Sequence, residues 1–426
     1  MKKIIFIQLN EVNFDLVKLY VKDGKLKNFS KLLDQNYSYI TSSEDKYEHL
    51  EPWIQWYSFY TGKKFEEHNV FYLNEGNMKD ESFFEILNKK FKKKIAFFFP
   101  MNLKNKFSDD CLFLPDPWTQ TKVSANKLLK NFYISTTSIV KNRKNLFNFK
   151  NFFYLFVSFI FLTKISSKFK LIKLFLNSLA KKHFRAIFLD YFIFLVFKDM
   201  KINQKFDISC IFFNACAHLQ HHYFFASKKN SNKFQLPNWY LNKNDDPIFD
   251  CLKIYDEMIG YLHNLDKETS FVIATGLSQK SIEKPIYYWS LKNPNSFFKE
   301  INIYPTKIIK RMSRDYTLEF VNSEDAIYNK KILMKFSELN NNFFKIDLQD
   351  NKVFLEINYT KNINNKTFIT DGNKNFFLKN ILSFVAIKNS IHSEKGYIFS
   401  NFEITKHKEL NIANFFKLFM DKFNVN

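Results

Sequence analysis

Glycine and arginine are scarce in this chain of 426 residues. It has only seven glycines, and only four of its 64 basic residues are arginine. The formal net charge of +22 therefore comes almost entirely from lysine, which is accompanied by abundant asparagine, isoleucine and phenylalanine. That mixture indicates a biased genome composition as much as a basic binding face. Because no stretch combines the lysines with aromatic residues in a single-strand platform, we predict no nucleic-acid partner.

Cysteine pairs and a targeting segment are also missing. The four cysteines show no CxxC spacing, which argues against a disulfide framework or a cysteine zinc site and suits a reducing compartment. The apolar run that follows Lys2 and Lys3 is shorter than that of a signal peptide, and no small-residue cleavage site follows it. We therefore predict a cytoplasmic protein.

Hydrophobic runs long enough to span a membrane are absent as well. The two longest aromatic-rich runs, residues 152–162 and 186–197, fall short of the roughly 18–20 apolar residues that a spanning helix needs. We predict that residues 101–206 form a helical cap over a sheet. Since lysines flank both runs, peripheral contact of this cap with an anionic membrane is the alternative.

What the chain does contain is 46% hydrophobic residues and several short apolar runs typical of buried strands. Such runs cover residues 3–9, 94–99, 208–213 and 270–275, with helical patterns between them. The fold class predicted is α/β, with a mostly parallel sheet sandwiched by helices. Residues 1–100, 207–280 and 381–426 would form this core, residues 101–206 the cap, and residues 281–380 a smaller α+β insertion.

Three of the nine histidines, His218, His221 and His222, lie close together just after the apolar run 208–213. Offsets of three and four residues place side chains on one face of a helix. The carboxyl end of a strand is where open α/β sheets bind ligands, and imidazole is a common metal ligand. The pattern predicts a metal site, or alternatively an ordinary polar strand-to-helix junction with internal hydrogen bonds.

Five separated motifs have the spacing of a known set. They are Asn10-Glu11 in place of Asp-Gly, Trp56–Gly62 with His68 as W-x-S-x-x-T-G and H-G, Ala217–His221 as D-x-x-x-H, Thr275–Ser278 as S-D-H-G, and His392–Gly396 as H-x-x-x-G. The chain thereby resembles the alkaline-phosphatase superfamily, specifically its type I phosphodiesterase and nucleotide-pyrophosphatase branch. The resemblance covers roughly residues 1–75, 206–280 and 381–423.

The resemblance implies phosphoryl or sulfuryl transfer at two metal ions, with a Thr or Ser nucleophile. This chain departs from that pattern at several positions. Asn10 replaces the first Asp, Pro52 stands at the nucleophile position, and Gly276 and Leu277 replace an Asp and a His. These departures imply that one of the two metal sites is lost.

The other metal site keeps more of its pattern. His221 and His392 stand at ligand positions of the family, whereas Ala217 stands where the family has Asp. His218 could supply a third nitrogen, which would give a three-histidine site with one open position for zinc or manganese. The alternative is that no metal binds and that both histidines are hydrogen-bonded in a polar cleft.

Two carboxylates are candidate catalytic residues if the strand ends converge. Glu11 and Glu51 would lie at the same edge of the sheet as the histidines, where either could act as a general base. Asn10 and Gln55 would contact the substrate there. A Glu before Pro, like Glu51, is also common as a solvated turn residue.

Arg311 and Arg314 are candidate phosphate-binding residues, because arginine binds phosphate through two parallel hydrogen bonds. A surface pair of Arg314 with Asp315 is the alternative. The predicted function is a divergent hydrolase or transferase acting on a small anionic phosphoester or sulfate ester, with at most one divalent metal. Since the nucleophile position lacks a hydroxyl, the alternative is a pseudoenzyme of the same fold that binds an anionic ligand without turnover.

Overall fold

The computed structural model describes residues 3–44, 46–74, 80–141, 149–231, 234–266, 268–310, 314–338 and 341–422. The chain divides into two compact units. Met1–Ser281 and Ser390–Asn426 form the first unit, and Ile282–Asn389 forms the second.

The strands of the described residues number eighteen. In chain order they are β1 Lys3–Leu9, β2 Tyr37–Ser42, β3 Ile95–Phe98, β4 Leu112–Leu114, β5 Ile208–Phe213, β6 Thr269–Ala274, β7 Ser278–Leu291, β8 Lys307–Lys310, β9 Asp315–Glu319, β10 Ser337–Glu338, β11 Asn341–Asn342, β12 Phe344–Gln349, β13 Lys352–Ile357, β14 Phe368–Thr370, β15 Asn375–Phe377, β16 Leu382–Ser393, β17 Lys395–Ser400 and β18 Glu409–Asn411.

The same residues form sixteen α-helices. In chain order they are α1 Phe14–Lys22, α2 Lys27–Gln35, α3 Pro52–Thr61, α4 Phe65–His68, α5 Phe83–Lys89, α6 Lys127–Lys141, α7 Phe149–Leu162, α8 Ile165–Ala180, α9 Phe184–Asp199, α10 Ile202–Lys205, α11 Ala215–Tyr223, α12 Pro247–Gly260, α13 Pro294–Glu300, α14 Ser323–Leu333, α15 Leu378–Ile381 and α16 Asn414–Lys422.

An eight-stranded sheet forms the centre of the first unit, in the order β18-β2-β17-β6-β1-β5-β3-β4. β1 pairs in parallel with both β5 and β6, with Leu9 opposite Phe213 and Gln8 opposite Ala274. β17 is antiparallel to both of its neighbours, β6 and β2, whereas the other pairs in this sheet are parallel. The α/β class with a mostly parallel sheet is therefore confirmed.

The central strands are apolar along their whole length because both faces of the sheet are covered. β5 and β6 are buried at every residue, and β1 is buried from Ile4 onward. Parallel strands with both faces covered have such continuous apolar runs rather than alternating ones. On one side Phe6 packs against Phe83, Phe84 and Phe419, with ring centroids 5.2–5.5 Å apart.

Residues 101–206 contain helices α6 to α10 and also β4, which pairs with β3 at the edge of the central sheet. α9 is buried along most of its length. α7 and α8 have 14 and 16 residues. Among the described residues, no helix combines the length and apolar character that crossing a membrane requires.

The second unit, residues 282–389, is built on two four-stranded sheets with orders β11-β10-β14-β15 and β12-β13-β9-β8. β12 and β13 form an antiparallel hairpin. Phe297 lies in an aromatic core with Phe336, Phe344 and Phe376, at centroid distances of 6.1–6.2 Å.

Gly62 ends α3 in the left-handed conformation, with φ 71°. A Cβ there would lie 2.8 Å from Cβ of Phe416, so both backbone conformation and space require glycine. Gly396 is fixed by close approach, since a Cβ would lie 2.5 Å from Oγ1 of Thr41 and 2.7 Å from the carbonyl oxygen of Gly276. Gly62 and Gly396 thus stand at positions where the backbone conformation or the available space requires glycine.

Candidate functional site

Strand direction gathers the polar motifs at one edge of the central sheet. β1, β5 and β6 run in parallel and end at Leu9, Phe213 and Ala274. Because β17 is antiparallel to them, its amino end lies at the edge where their carboxyl ends lie. His392, three residues before Lys395, therefore reaches the same edge as Glu11.

Glu11, His221 and His392 meet at this edge. The Oε2 atom of Glu11 lies 3.2 Å from Nε2 of His221 and 3.2 Å from Nε2 of His392. The two imidazole ring centroids are 5.1 Å apart. Glu11 is buried, whereas both histidine side chains retain some exposure. We call these three residues the Glu–His–His cluster.

The backbone of Glu11 has an unusual conformation that serves this cluster. Its φ is 57°, in the left-handed region that residues other than glycine rarely occupy. The family pattern has glycine at this position, so the turn is retained although a carboxylate has been added. Such strained positions concentrate at functional sites, where the surrounding contacts hold them in place.

Amide side chains hold the carboxylate of Glu11 in place. Asn10 Nδ2 donates to Oε1 of Glu11 at 2.9 Å, and Gln279 Nε2 donates to Oε2 at 2.5 Å. Gln220 Nε2 donates to the backbone carbonyl of Glu11 at 2.7 Å. Ser390 Oγ donates to Oε1 of Gln279 at 2.6 Å, which fixes the orientation of that amide. The strained turn and its carboxylate are therefore tied to three other elements.

The charge state of Glu11 follows from these neighbours. Burial alone would raise the pKa of its carboxyl. The charges and hydrogen bonds of His392 and His221 outweigh burial and hold the pKa well below its usual range. Glu11 is therefore a carboxylate, available as an anionic ligand or ion-pair partner.

The position of His221 depends on how α11 begins. Asp190 of α9 accepts a hydrogen bond from the backbone N–H of Ala215 at 2.7 Å and one from the hydroxyl of Tyr255 at 2.5 Å. Burial raises the pKa of Asp190 to about 6. A carboxyl group at the first turn of a helix satisfies one of its unpaired N–H groups. Asp190 thus anchors the helix that carries His221.

The Glu–His–His cluster fits a divalent metal ion. Its three ligand atoms lie within 4.8 Å of one another. Bonds of about 2.0–2.1 Å at tetrahedral angles place two ligand atoms roughly 3.3–3.4 Å apart, close to both Glu–His separations in the cluster. Two imidazoles and one glutamate form a known catalytic zinc set that leaves one position open. The donor set therefore suits zinc, and manganese also accepts imidazole and carboxylate ligands.

Glu51 lies on the other side of His392, with its Oε2 atom 3.8 Å from Nδ1 of that ring. Its side chain is partly exposed, so it can reach solvent as well as the histidine. Gln55, one turn further along α3, is buried, and its Nε2 donates to the carbonyl of His49 at 2.8 Å. Glu51 therefore lies beside the cluster. The amide of Gln55 is instead hydrogen-bonded to the turn at His49, which precedes α3.

The two ends of the Asn10 side chain have different partners. Its nitrogen contacts Glu11, whereas its oxygen is bonded to Trp56 outside the cluster. Its Oδ1 accepts a hydrogen bond from the indole N–H of Trp56 at 2.8 Å, and its Nδ2 also donates to Asn214 at 2.8 Å. Gly276 has φ 74°, and a Cβ on it would lie 3.1 Å from Cε2 of Trp56. The indole therefore occupies the space that a side chain at position 276 would need.

Pro52 and Leu277 complete this apolar side. Pro52 is buried at the first turn of α3, a position where proline is favoured because its missing N–H is not needed. Leu277 is also buried. The side chains of Trp56, Pro52 and Leu277, and Gly276, which has none, offer no metal ligand, and we call these four residues the indole side.

His68 and Ser58 form a buried pair behind the indole side. The Nδ1 atom of His68 accepts from the N–H of Val70 at 3.0 Å, so its Nε2 carries the proton and donates to Oγ of Ser58 at 3.1 Å. Burial lowers the pKa of His68 to about 4. The neutral ring fixes the loop after α4 to α3.

The predicted third histidine, His218, lies on the same helix as His221 and makes a ring contact there. His218 packs against His222 one turn along α11, with ring centroids 4.8 Å apart. Among the described residues, the group close enough to share one ion is Glu11 with His221 and His392. The carboxylate of this group comes from the turn after β1, where Glu11 has the left-handed backbone conformation.

The two arginines have different outcomes. Arg311 lies outside the described residues. Arg314 belongs to the second unit, where it pairs with Glu356 and its guanidinium lies 4.3 Å from the ring centroid of Tyr288. The ion pair of Arg314 is therefore with Glu356 across β13 and not with its sequence neighbour Asp315.

Gln279, Gln220 and Asn214 were not among the predicted site residues. Each follows the carboxyl end of β5 or β6 within a few positions, which is the signal that could have identified them. Their roles are to hold Glu11 and Asn10, and amides with such positioning roles have no motif of their own. Only the folded arrangement reveals them.

A scan against protein-family models finds no match, and a search of curated proteins likewise finds none. Solved structures with a similar fold are found. Phosphonoacetate hydrolase from Sinorhizobium meliloti 1021, solved with phosphonoacetate, is 9% identical over 98% of this chain and 95% of that chain, with TM-score 0.41. The alkaline phosphatase of the Antarctic bacterium TAB5 is 9% identical over 100% of both chains, with TM-score 0.42.

Murine ectonucleotide pyrophosphatase/phosphodiesterase 5 is 8% identical over 100% of this chain and 96% of that chain, with TM-score 0.39. An inactive variant of that murine protein has been solved with AMP. At these identities and TM-scores the likeness transfers no role to any residue.

Proposed function

We propose that this protein is a divergent hydrolase of small phosphoesters or sulfate esters, with a single divalent metal ion bound by the Glu–His–His cluster. The observation that carries the proposal is the 3.2 Å approach of Glu11 Oε2 to both Nε2 atoms of His221 and His392. A buried carboxylate with two imidazoles at the carboxyl edge of a parallel sheet is a ligand set at the place where such sheets bind ligands.

Zinc or manganese bound there would act as a Lewis acid and lower the pKa of a coordinated water. Glu11, His221 and His392 would hold the ion through one oxygen and two Nε2 atoms. Glu51 lies beside Nδ1 of His392 and would orient that ring, as carboxylates commonly do for metal-binding histidines. Since Glu51 also reaches solvent, it is the candidate general base for an attacking water.

Water is the proposed nucleophile because the position of the family's hydroxyl is taken by Pro52. Ser58 is buried and hydrogen-bonded to His68, so it does not substitute for that hydroxyl. A hydrolase of this kind would form no covalent intermediate. The absence of a burst phase in pre-steady-state kinetics with excess substrate would support direct attack by water.

The test begins with metal content, measured by elemental analysis on protein purified without a histidine tag. We expect about one zinc or manganese per chain and slow turnover of a nitrophenyl phosphodiester, both lost in His221→Ala and in His392→Ala. His407→Ala is the matched control, because His407 is exposed outside the cluster and should leave both signals unchanged. Folded protein that cannot be loaded with metal would refute the metal proposal.

A second candidate function, ligand binding without turnover, is favoured by the indole side. Pro52 supplies no hydroxyl, and Trp56 occupies the space beside Gly276, so two groups of the family's chemistry are missing together. A pseudoenzyme with the same metal would bind a phosphate or sulfate ester tightly and leave it intact. Calorimetric binding of the nitrophenyl ester with no product after prolonged incubation would favour this function.

A further inference from the structure

Helices α7 and α8 expose apolar side chains where soluble helices carry polar ones. On α7 the exposed residues include Phe149, Phe153 and Phe156, and on α8 they include Ile165, Phe169 and Leu176. The spacing of three and four residues makes each set one continuous stripe. We call the two stripes the aromatic face. Contiguous exposed apolar surface of this size marks an interaction site.

The same helices also bury residues on their opposite side. Leu155 and Leu162 of α7 and Leu171 and Leu174 of α8 belong to the core of the first unit. The aromatic face is therefore not the side that packs in the folded unit. A helix that is apolar on both sides requires a second apolar environment for its outer side.

An apolar cavity opens between α7, α8 and α9. Its volume is about 270 Å³, and its walls include Phe156, Phe159, Phe175 and Phe188. Phe156 belongs to both the cavity wall and the aromatic face. The apolar surface therefore has depth as well as area, which suits contact with hydrocarbon.

The chain segment that carries the aromatic face is strongly basic, although acidic side chains of neighbouring elements approach α8: Glu257 pairs with Lys170, and Asp199 accepts from the backbone N–H of Lys164. Residues 117–189 contain fourteen lysines and arginines and no aspartate or glutamate. Lys164, Lys173 and Lys182 are exposed on or beside α8. Exposed apolar stripes flanked by lysine are the pattern of helices that lie in the headgroup region of an anionic membrane.

A second copy of this chain is a poorer occupant of the same face. A closed dimer would place the same patch of each copy opposite itself. Two such faces, each on a segment with a large excess of lysine, would repel one another. An anionic bilayer provides both the apolar interior and the opposite charge.

We infer that the aromatic face docks this protein on the surface of an anionic membrane, with α7 and α8 lying in the plane of the interface. The phenylalanine and leucine side chains would enter the acyl boundary, and the lysines would contact lipid phosphates. Long lysine stems allow the ammonium groups to reach the headgroups while the helix lies deeper. The inference stands independently of the proposed hydrolase activity.

The test is co-sedimentation of the full chain with phosphatidylcholine vesicles, with and without phosphatidylserine. We expect binding to the phosphatidylserine vesicles and little binding to phosphatidylcholine alone. The variant Ile165→Ser/Phe169→Ser, at positions 75% and 76% exposed, should lose roughly tenfold or more in affinity. Because both side chains are exposed, circular dichroism should show unchanged folding.

The matched control is Val321→Ser/Tyr328→Ser, which removes side chains 76% and 66% exposed in the second unit and should bind like the wild type. Lys164→Gln/Lys173→Gln should weaken binding severalfold and reduce its dependence on phosphatidylserine. Wild-type protein that stays in the supernatant with every vesicle would overturn the inference. Concentration-dependent dimerisation abolished by Ile165→Ser/Phe169→Ser would also overturn it and assign the face to a second copy.

Discussion

The Glu–His–His cluster and the indole side share one edge of the central sheet but have opposite characters. In the cluster a buried carboxylate is matched by two imidazoles and two amides. On the indole side a neutral Asn10 is matched by the neutral N–H of Trp56, and Gly276 leaves room for the ring. In both regions the buried polar groups are matched in kind, charged with charged and neutral with neutral, because an unpaired buried charge would be costly.

The cluster also differs from the pattern that the resemblance implies. Ala217 stands where the family has the ligand Asp, and Glu11 stands where the family has glycine. The carbonyl of Ala217 accepts from Gln279 Nε2 at 3.0 Å, and the same nitrogen donates to the carboxylate of Glu11. The carboxylate thus comes from the strand end beside the helix instead of from the helix itself.

The largest expected effect comes from removing the relocated carboxylate. In Glu11→Gly, metal affinity should fall by more than the roughly 100-fold that changing an outer hydrogen-bonding partner costs, because a ligand itself is lost. Glu11→Gly/Ala217→Asp should recover binding, since it returns the carboxylate to the helix and glycine to the left-handed turn. Zinc affinity measured by competition with a chromophoric chelator would test both variants.

The control for this pair is Asp34→Ala, which removes a carboxylate on α2 outside the cluster. It should leave zinc affinity unchanged. Binding by Glu11→Gly as tight as in the wild type would mean that Glu11 is only an ion-pair partner of the histidines. Failure of Ala217→Asp to rescue would show that the helix position no longer points to the two rings.

Restoring the family's residue on the indole side should be harmful rather than helpful. Gly276→Asp places a side chain at φ 74° against the indole of Trp56. The left-handed backbone and the overpacking together should lower the free energy of unfolding by about 3 kcal/mol. Urea denaturation would measure it. Trp56→Ala/Gly276→Asp should lose less than the sum of the two single variants, because the clash is relieved.

The sequence predicts the site residues that stand within a recognised motif. It does not predict features of the site that depend on backbone conformation. The convergence of Glu11, His221 and His392 follows from strands that end beside the motifs, and His392–Gly396 keeps its spacing because Gly396 must pass close to Gly276. The presence of Glu11 beside His221 and His392 depends on its backbone conformation, with φ 57°. Sequence spacing on a helix does not reveal that angle.

The sequence also predicts only part of the fold, because some strand pairings are set by long-range contacts. Apolar runs predict the central strands, and the parallel sheet follows from them. β4 escapes prediction because it has only three residues, within a region whose pattern is helical. The antiparallel direction of β17 is also set by long-range pairing with β6 and β2, and the strand's own residues do not encode it. These pairings decide where His392 lies.

A smaller effect is expected from removing only the indole N–H. Trp56→Phe keeps an aromatic ring but leaves Oδ1 of Asn10 buried without its donor. That should cost about 1–2 kcal/mol of unfolding free energy. Zinc affinity should change little, because the indole N–H of Trp56 donates to Asn10 and not to a residue of the cluster. Tyr57→Phe is the matched control, because it removes a hydroxyl that bonds Asp80 on the opposite side of α3.

The smallest expected effect is a pH dependence carried by His68, behind the indole side. Burial lowers its pKa to about 4, below the ordinary value near 6.5, so the folded state binds fewer protons than the unfolded state between these pH values. The contribution of His68 to stability is therefore complete above about pH 6.5 and is lost as pH falls toward 4. Urea denaturation from pH 4 to 7 should show a weaker pH dependence in His68→Gln than in the wild type.

Asp190 gives the opposite slope, because burial raises its pKa to about 6 and its protonation favours the folded state as pH falls. That slope is present in both the wild type and His68→Gln, so it cancels in their difference. The remaining difference isolates the protonation of His68, which would break its donor–acceptor arrangement with Ser58 and Val70. Identical pH profiles for the two proteins would show that the pKa of His68 is the same in the folded and unfolded states, and would contradict the lowering of this pKa by burial.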